Sequence, residues 1–384
     1  MNAPTAEYML KNFRGFVMKN DFVITATETM RNYAANVAGI LSKYPDFSTK
    51  KDFNAVTALD VKCFADGEME VEISTSLRGK DVIIFSSSAR NEAGIDANKA
   101  KLELYHTIDA LKRSRAERII VFEPYVSCGR SDRPLMRNSV GLWIHFKTLM
   151  TLGASHIVTY QLHSDKSKAM VDPALCVFDD VPVSILLKKY LCDQYVKDIE
   201  TLESVVRNNW AFCSVDAGGE KLTRRFANAF NAPLVIAHKQ RDYSKANTVA
   251  AINILSAEPI EGKTLWIVDD MVDTGGSVEN LILALAKQNP AEINIVAVHA
   301  PFSHPSRERL AALTERGFLK RIIVTDTIYF PPSTPRDFPN LQIVSSAEMS
   351  ARVISKIMSD QSMSDLYKNF NANEYLQNLD LFSM

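Results

Sequence analysis

Cysteine is scarce: five in 384 residues, at Cys63, Cys128, Cys176, Cys192 and Cys213. They are odd in number, scattered and never spaced as C-x-x-C, so they give no zinc signature and fit reduced, mostly buried thiols in a reducing compartment. No uninterrupted apolar run approaches the ~18–20 residues that a membrane span needs. The N-terminus has no apolar core of a secretion signal, so a cytoplasmic protein without membrane association is expected. An excess of either charge is also missing. Lys+Arg number 44 and Asp+Glu 45, a net charge of −1, which argues against general affinity for nucleic acid or anionic membranes. No low-complexity linker interrupts the chain. What is present, 46% hydrophobic and 23% charged residues, is the composition of an ordinary globular protein. Its length of 384 residues is more than one core usually fills, so two domains are expected.

Short apolar runs predict strands at 22–25, 61–64, 69–73, 81–86, 118–122 and 156–160. In the second half they predict strands at 211–215, 234–237, 265–268, 293–298, 321–325 and 342–345. Helical periodicity marks 30–44, 99–113, a segment ending at 152, 220–230, the stretch after 277, and 347–357. Strands alternating with helices imply an α/β protein with two doubly wound parallel-sheet domains. The weakest seam lies around 165–182. The expected division is an arm (1–20), an N-terminal α/β domain (21–172), a C-terminal α/β domain (173–367) and a tail (368–384).

One stretch organises the chain: T-L-W-I-V-D-D-M-V-D-T-G-G-S-V at 264–278. Its apolar run at 265–268 suits a strand buried on both faces of a parallel sheet. Asp269 and Asp270 end that strand and Asp273 follows. Thr274, Gly275, Gly276 and Ser277 then lead into a helical pattern of Val278, Leu281, Ile282 and Leu285. Strand, glycine turn and helix bring backbone N–H groups and a helix N-terminus onto a phosphate. Two hydroxyls add donors, and two missing side chains let the anion approach. Acids just upstream would repel a phosphate unless they hold something else, such as sugar hydroxyls or a metal. A phosphorylated sugar is therefore the expected ligand. A plain strand end followed by a loop is the bland reading, and it leaves three acids, two hydroxyls and two glycines in nine residues unexplained.

Other polar clusters also fall at the ends of expected strands, where open α/β sheets bind their ligands. Asp216-Ala217-Gly218-Gly219 repeats the acid and glycine pair; it suits a metal, phosphate or sugar contact and equally a structural turn. Lys239 and Arg241, two residues apart, point the same way on a strand. They suit a transferring phosphoryl group, or form a solvated surface pair. His163 can ligate a metal or be structural. Arg130-Ser131-Asp132-Arg133 can clamp a polyphosphate, or be a solvated loop or a subunit contact.

The pattern at 269–277 resembles the ribose-5-phosphate motif of phosphoribosyltransferases and PRPP synthetases. The order of all the clusters resembles the PRPP synthetases, or ribose-phosphate pyrophosphokinases, from Phe22 to Tyr367. The likeness includes Phe64-Ala65-Asp66-Gly67-Glu68, Leu77-Arg78-Gly79-Lys80, Ile108-Asp109-Ala110-Leu111-Lys112-Arg113 and Pro124-Tyr125. It continues through Arg130-Ser131-Asp132-Arg133, Leu162-His163, residues 216–219, His238-Lys239-Gln240-Arg241, residues 269–277, Val324-Thr325-Asp326-Thr327-Ile328 and residues 362–367.

The resemblance implies two domains of phosphoribosyltransferase type and transfer of the β,γ-diphosphoryl group of ATP to the anomeric hydroxyl of ribose 5-phosphate. By position it implies that Phe64, Asp66, Glu68 and Arg130 hold adenine and ribose of ATP, partly across a subunit interface of a dimer or hexamer, with Asp132 beside them and Arg133 on the polyphosphate. His163 and Asp216 would anchor Mg²⁺. Lys239 and Arg241, with Asp273, would form the catalytic set. Asp269, Asp270 and Asp273 would hold the ribose hydroxyls, and Asp273, Thr274, Gly275, Gly276 and Ser277 the 5-phosphate. The chain departs from the family at Gln161, usually Asp, at Ser131, usually Gln, and through residues 126–129 and 134–137. Those departures raise a larger acceptor, such as ADP-ribose, as an alternative. A catalytically silent regulatory subunit is the other alternative, and retention of Lys239 and Arg241 speaks against it.

Overall fold

The computed structural model describes residues 21–45, 47, 56–89, 96–241, 249–331 and 333–383. The expected arm at 1–20 lies outside the described residues. In chain order the strands are β1 (Phe22–Ala26), β2 (Asp60–Cys63), β3 (Met69–Glu72), β4 (Asp81–Phe85), β5 (Ile119–Glu123), β6 (His156–Tyr160) and β7 (Val177–Val181). They continue as β8 (Trp210–Ser214), β9 (Leu234–Arg241), β10 (Val249–Ser256), β11 (Thr264–Met271), β12 (Glu292–His299), β13 (Arg321–Thr325) and β14 (Leu341–Val344). The longer helices are α1 (Arg31–Leu41), α2 (Ala97–Arg113), α3 (Gly141–Leu152), α4 (Ser184–Leu191), α5 (Glu220–Phe230), α6 (Gly276–Ala286), α7 (Ser306–Glu315), α8 (Ala347–Met358) and α9 (Ala372–Ser383).

The chain divides into two units. One holds the chain up to Pro182 with Thr327–Phe330 and Ser345–Tyr367; the other holds Val183–Asp326, Pro331–Val344 and the chain from Lys368. In the first, β1, β4, β5, β6 and β7 form a parallel sheet in that order. Residues of β4 and β5 are buried throughout, as strands covered on both faces must be. On one face Val82, Ile84, Val121 and Ile157 pack with Leu104, Ile108 and Leu111 of α2 and Leu142, Phe146 and Leu149 of α3. On the other, the Tyr33 ring of α1 meets Phe85 edge-on at 5.5 Å. The hydroxyls of Tyr33 and Tyr160 reach Ser350 of α8 at 2.7 and 2.5 Å. Helix α8, expected with the C-terminal domain, thus completes the first unit. The paired strands β2 and β3 form a separate hairpin.

In the second unit the sheet runs β10–β9–β8–β11–β12–β13–β14, parallel except for the edge strand β10. Strands step outward one way from β8 and the other way from β11, so the order reverses between these two. Ligands of doubly wound sheets bind outside the carboxyl ends of strands at such a reversal. Residues 368–384, expected as a tail, contain α9. Its Ala372 and Leu376 are buried, it packs on α5, and the Tyr375 hydroxyl donates to Asp193 at 2.9 Å.

Candidate active site

The last pair in the β8–β11 ladder is Ser214 with Val268. Two residues further on stand Asp216 and Asp270, so the reversal carries acids on both sides. Asp269 accepts the Asp270 amide N–H at 2.9 Å. Burial first, then the carboxylates of Asp270 and Asp216, push Asp269 well above the usual carboxylate range, because like charges in a poorly hydrated site oppose ionisation. Asp216 Oδ1 accepts the amides of Gly218 at 2.9 Å and Gly219 at 3.2 Å, ahead of α5. One oxygen of this residue therefore builds its own turn, while its charge acts on Asp269.

The polypeptide from β11 then turns beside β12: the Val272 amide donates to the His299 carbonyl at 2.9 Å. Gly275 sits at the start of α6 with φ +76°, where an L side chain costs about 1–2 kcal/mol. A Cβ there would also lie 3.4 Å from Ser306 Cα and Cβ. The Glu279 amide closes the first helical bond onto the Gly275 carbonyl at 2.8 Å. The preceding amides of α6 have no carbonyl within the helix to receive them, which leaves donors at the helix start for an anion. Thr274 and Ser277 are exposed, Asp273 half-buried. The seven residues of the expected sugar-phosphate set thus run from the end of β11 (Asp269, Asp270) through Asp273, Thr274 and Gly275 into the start of α6 (Gly276, Ser277), with Asp216 beside Asp269. Strand β9 is parallel to β8 and extends past it to Arg241, so Lys239 and Arg241 stand beyond the end of β8, still paired with Ile252 and Val249 of β10. Their side chains lie outside the described set.

In the first unit, residues 124–140 follow β5. Ser131 fastens this loop: its amide donates to the Cys128 carbonyl at 2.8 Å, and its hydroxyl accepts the Gly141 amide at 2.9 Å. Arg130 and Arg133 are exposed and Asp132 half-buried around that clasp. The backbone at Gly129 lies against His163, where an added Cβ would come 3.8 Å from His163 Cβ. His163 is exposed after β6. Its neighbour Leu162 donates its amide to Asp180 Oδ1 at 3.0 Å, and Asp180 Oδ2 meets Lys168 at 3.1 Å. Burial pushes Asp180 up, and the Leu162 amide and Lys168 oppose that shift. Phe64, Asp66 and Glu68 are exposed at the tip of the β2–β3 hairpin, closed by the Phe64 amide on the Glu68 carbonyl at 2.9 Å. His163 belongs to the first unit and Asp216 to the second. Among the described residues no three His, Cys, Asp or Glu side chains form a preformed metal cluster. One residue beside the turn carries no motif at all: Arg309 of α7 donates from Nη1 to the Thr274 carbonyl at 3.2 Å.

Comparison with known proteins agrees with this geometry. The N-terminal domain of ribose phosphate pyrophosphokinase matches residues 22–153, and the phosphoribosyl transferase domain matches residues 193–337. The ribose-phosphate pyrophosphokinase of Corynebacterium glutamicum is 30% identical over 315 residues, 82% of this chain and 89% of that protein. The chain belongs to the ribose-phosphate pyrophosphokinase family. Another ribose-phosphate pyrophosphokinase, from Synechococcus elongatus, is 32% identical over 80% of this chain and 85% of its own length. The crystal structure of phosphoribosylpyrophosphate synthetase from Mycobacterium smegmatis matches with a TM-score of 0.73 at 26% identity, covering 88% of this chain and 99% of that one. Membership in the ribose-phosphate pyrophosphokinase family makes the chain an enzyme, a transferase of kinase type, on an α/β fold with a phosphoribosyltransferase-type domain.

Proposed function

We propose that the chain transfers the β,γ-diphosphoryl group of ATP to the anomeric hydroxyl of ribose 5-phosphate, giving AMP and 5-phosphoribosyl 1-diphosphate. The observation that carries this reading is the glycine turn of residues 274–277 at the sheet reversal, with Asp216, Asp269 and Asp270 beside it. The turn offers backbone donors to the 5-phosphate, and Asp269, Asp270 and Asp273 accept from the ribose hydroxyls. In the reaction a bond forms between the anomeric oxygen and the β-phosphorus, and the bond from that phosphorus to the α,β-bridging oxygen breaks, releasing AMP. Such transfers need positioning and charge neutralisation more than a strong nucleophile. Lys239 and Arg241, cationic and at the carboxyl end of β9, are assigned to the charge that develops on the moving diphosphoryl group. Arg130, Asp132, Arg133, Phe64, Asp66 and Glu68 are assigned to ATP.

Mg²⁺ fits the residues present. Carboxylate oxygens are its preferred protein donors, and the repulsion that raises Asp269 is what a divalent cation would relieve. Bound there with ATP, Mg²⁺ would supply neutralisation of phosphate charge, and Asp216 is the residue assigned to hold it. We also assign the chain to a homo-oligomer. Phe64, Leu135, Met136, Trp143 and Ile144 are all exposed large apolar side chains, of the kind a second copy would cover; light scattering giving a monomer mass at micromolar concentration would refute this. The function itself is tested by mass spectrometry of products after mixing the chain with ATP, Mg²⁺ and a panel of ribose phosphates including ADP-ribose. The expected products are AMP and phosphoribosyl diphosphate from ribose 5-phosphate. No AMP above background, or ADP-ribose consumed in preference, would overturn it.

A further inference from the structure

Arg309 is 32 or more residues from every member of the acid and glycine turn, yet its guanidinium reaches that turn and the helix it opens. Nη1 donates to the Thr274 carbonyl at 3.2 Å, and Nε lies 3.3 Å from Glu279 Oε2 on α6. A Cβ added to Gly276 would stand 2.6 Å from Nη1 and 3.6 Å from Cζ, so the guanidinium occupies the space a side chain there would need. A trans peptide sets its C=O and N–H in opposite directions. Holding the Thr274 carbonyl toward α7 therefore turns the Gly275 N–H away from Arg309. The same bond places a permanent cation against the carbonyl side of that peptide, which strengthens its N–H as a donor. Glu279, by holding the other edge of the guanidinium, fixes its direction from α6, and the planar fork serves both partners at once.

We propose that Arg309 is a positioning residue of the sugar-phosphate turn, setting the Thr274–Gly275 peptide so that its amide binds a phosphomonoester, with Glu279 orienting the guanidinium. It acts through the backbone and makes no contact with the sugar. The inference rests on the reading that this turn takes ribose 5-phosphate.

The test is titration calorimetry of ribose 5-phosphate and, separately, of ATP with Mg²⁺ into the full chain and its R309A, R309K and E279Q variants, alongside steady-state kinetics. R309A should weaken ribose 5-phosphate binding and raise its KM by about tenfold or more, with ATP affinity within twofold of the unchanged chain. R309K, which keeps the charge and loses the fork, should fall between, and E279Q should shift the same constants in the same direction by a smaller factor. Because Arg309 and Glu279 are about one-third exposed, their replacement leaves the core intact; a matching circular dichroism melt checks this. If the unchanged chain binds no ribose 5-phosphate, the functional reading falls and this proposal with it. If it binds and R309A binds equally well, or if R309A loses ATP affinity in the same proportion, the proposal alone is overturned.

Discussion

Asp269 is held above its ordinary range by burial and by the acids at positions 270 and 216, a perturbation of the kind that clusters at binding and catalytic sites. Changing Asp273 to Ala should raise the KM for ribose 5-phosphate more than it lowers kcat, since it removes an acceptor rather than a charge-stabilising donor; initial-rate kinetics at varied sugar decide this. Lys239→Ala or Arg241→Ala should instead lower kcat by on the order of a hundredfold or more with ATP binding nearly intact, the pattern of a group used in the transition state. Equal effects on ATP affinity would refute those assignments. Away from the turn, Lys188 on α4 is buried with its ammonium 4.7 Å from the Phe226 ring. Burial first, and Arg225 second, push it down from 10.5 to about 8. The unfolded chain keeps that proton up to about 10.5 while the fold releases it near 8, so stability should rise with pH across this window and carry the full cost below it. Urea denaturation of Lys188→Met should show higher stability at pH 7 and a flatter rise between pH 8 and 10. At this scale the acid and glycine turn is legible in the sequence because its members fall within nine residues. Arg309 is not, because only the packing of α7 beside α6 brings it to Thr274.

Among the elements, β5 and α3 carry a buried polar chain that no motif marks. His145 Nε2 meets Glu123 Oε2 at 2.6 Å, with both side chains almost wholly buried, and His145 Nδ1 meets the Tyr105 hydroxyl at 2.8 Å. Periodicity places Glu123 just after a strand and His145 on a helix, but their separation of 22 positions hides the pairing. Glu123→Leu alone leaves the buried His145 Nε2 without its partner and should cost roughly 1–3 kcal/mol. The double change Glu123→Leu with His145→Leu should cost clearly less than the sum of the single changes; additivity in thermal or urea unfolding would contradict the pairing. Strands β7 and β10 escape the sequence pattern for a related reason. Both are edge strands; β7 carries Asp179 and Asp180 in its span and so lacks the apolar run of a central strand, while in β10 Asn253 interrupts one. Helix α9 finds its packing partners in α5 and in the short helical segment at 199–201. Deleting residues 372–384 would uncover the surface that Leu376 and Tyr375 cover, and differential scanning calorimetry should show a melting temperature lower by several degrees.

For the molecule as a whole, alternating strands and helices announce two α/β layers, whereas sheet order lies beyond any local pattern. The reversal between β8 and β11 depends on which strands pair, and it is the reversal that sets Asp216 beside Asp270. The assignment of α8 to the first unit is equally non-local, because Ser350 shows its role only against Tyr33 and Tyr160. Family membership and the turn at the reversal converge on one chemistry, movement of two phosphoryl groups together. The most direct measurement is ³¹P NMR of the chain with ATP, Mg²⁺ and ribose 5-phosphate. The account predicts that ATP resonances decline while AMP and a diphosphate ester on C1 of the sugar grow in equal amounts. Formation of ADP with a sugar monophosphate ester, or an unchanged ATP spectrum, would contradict it.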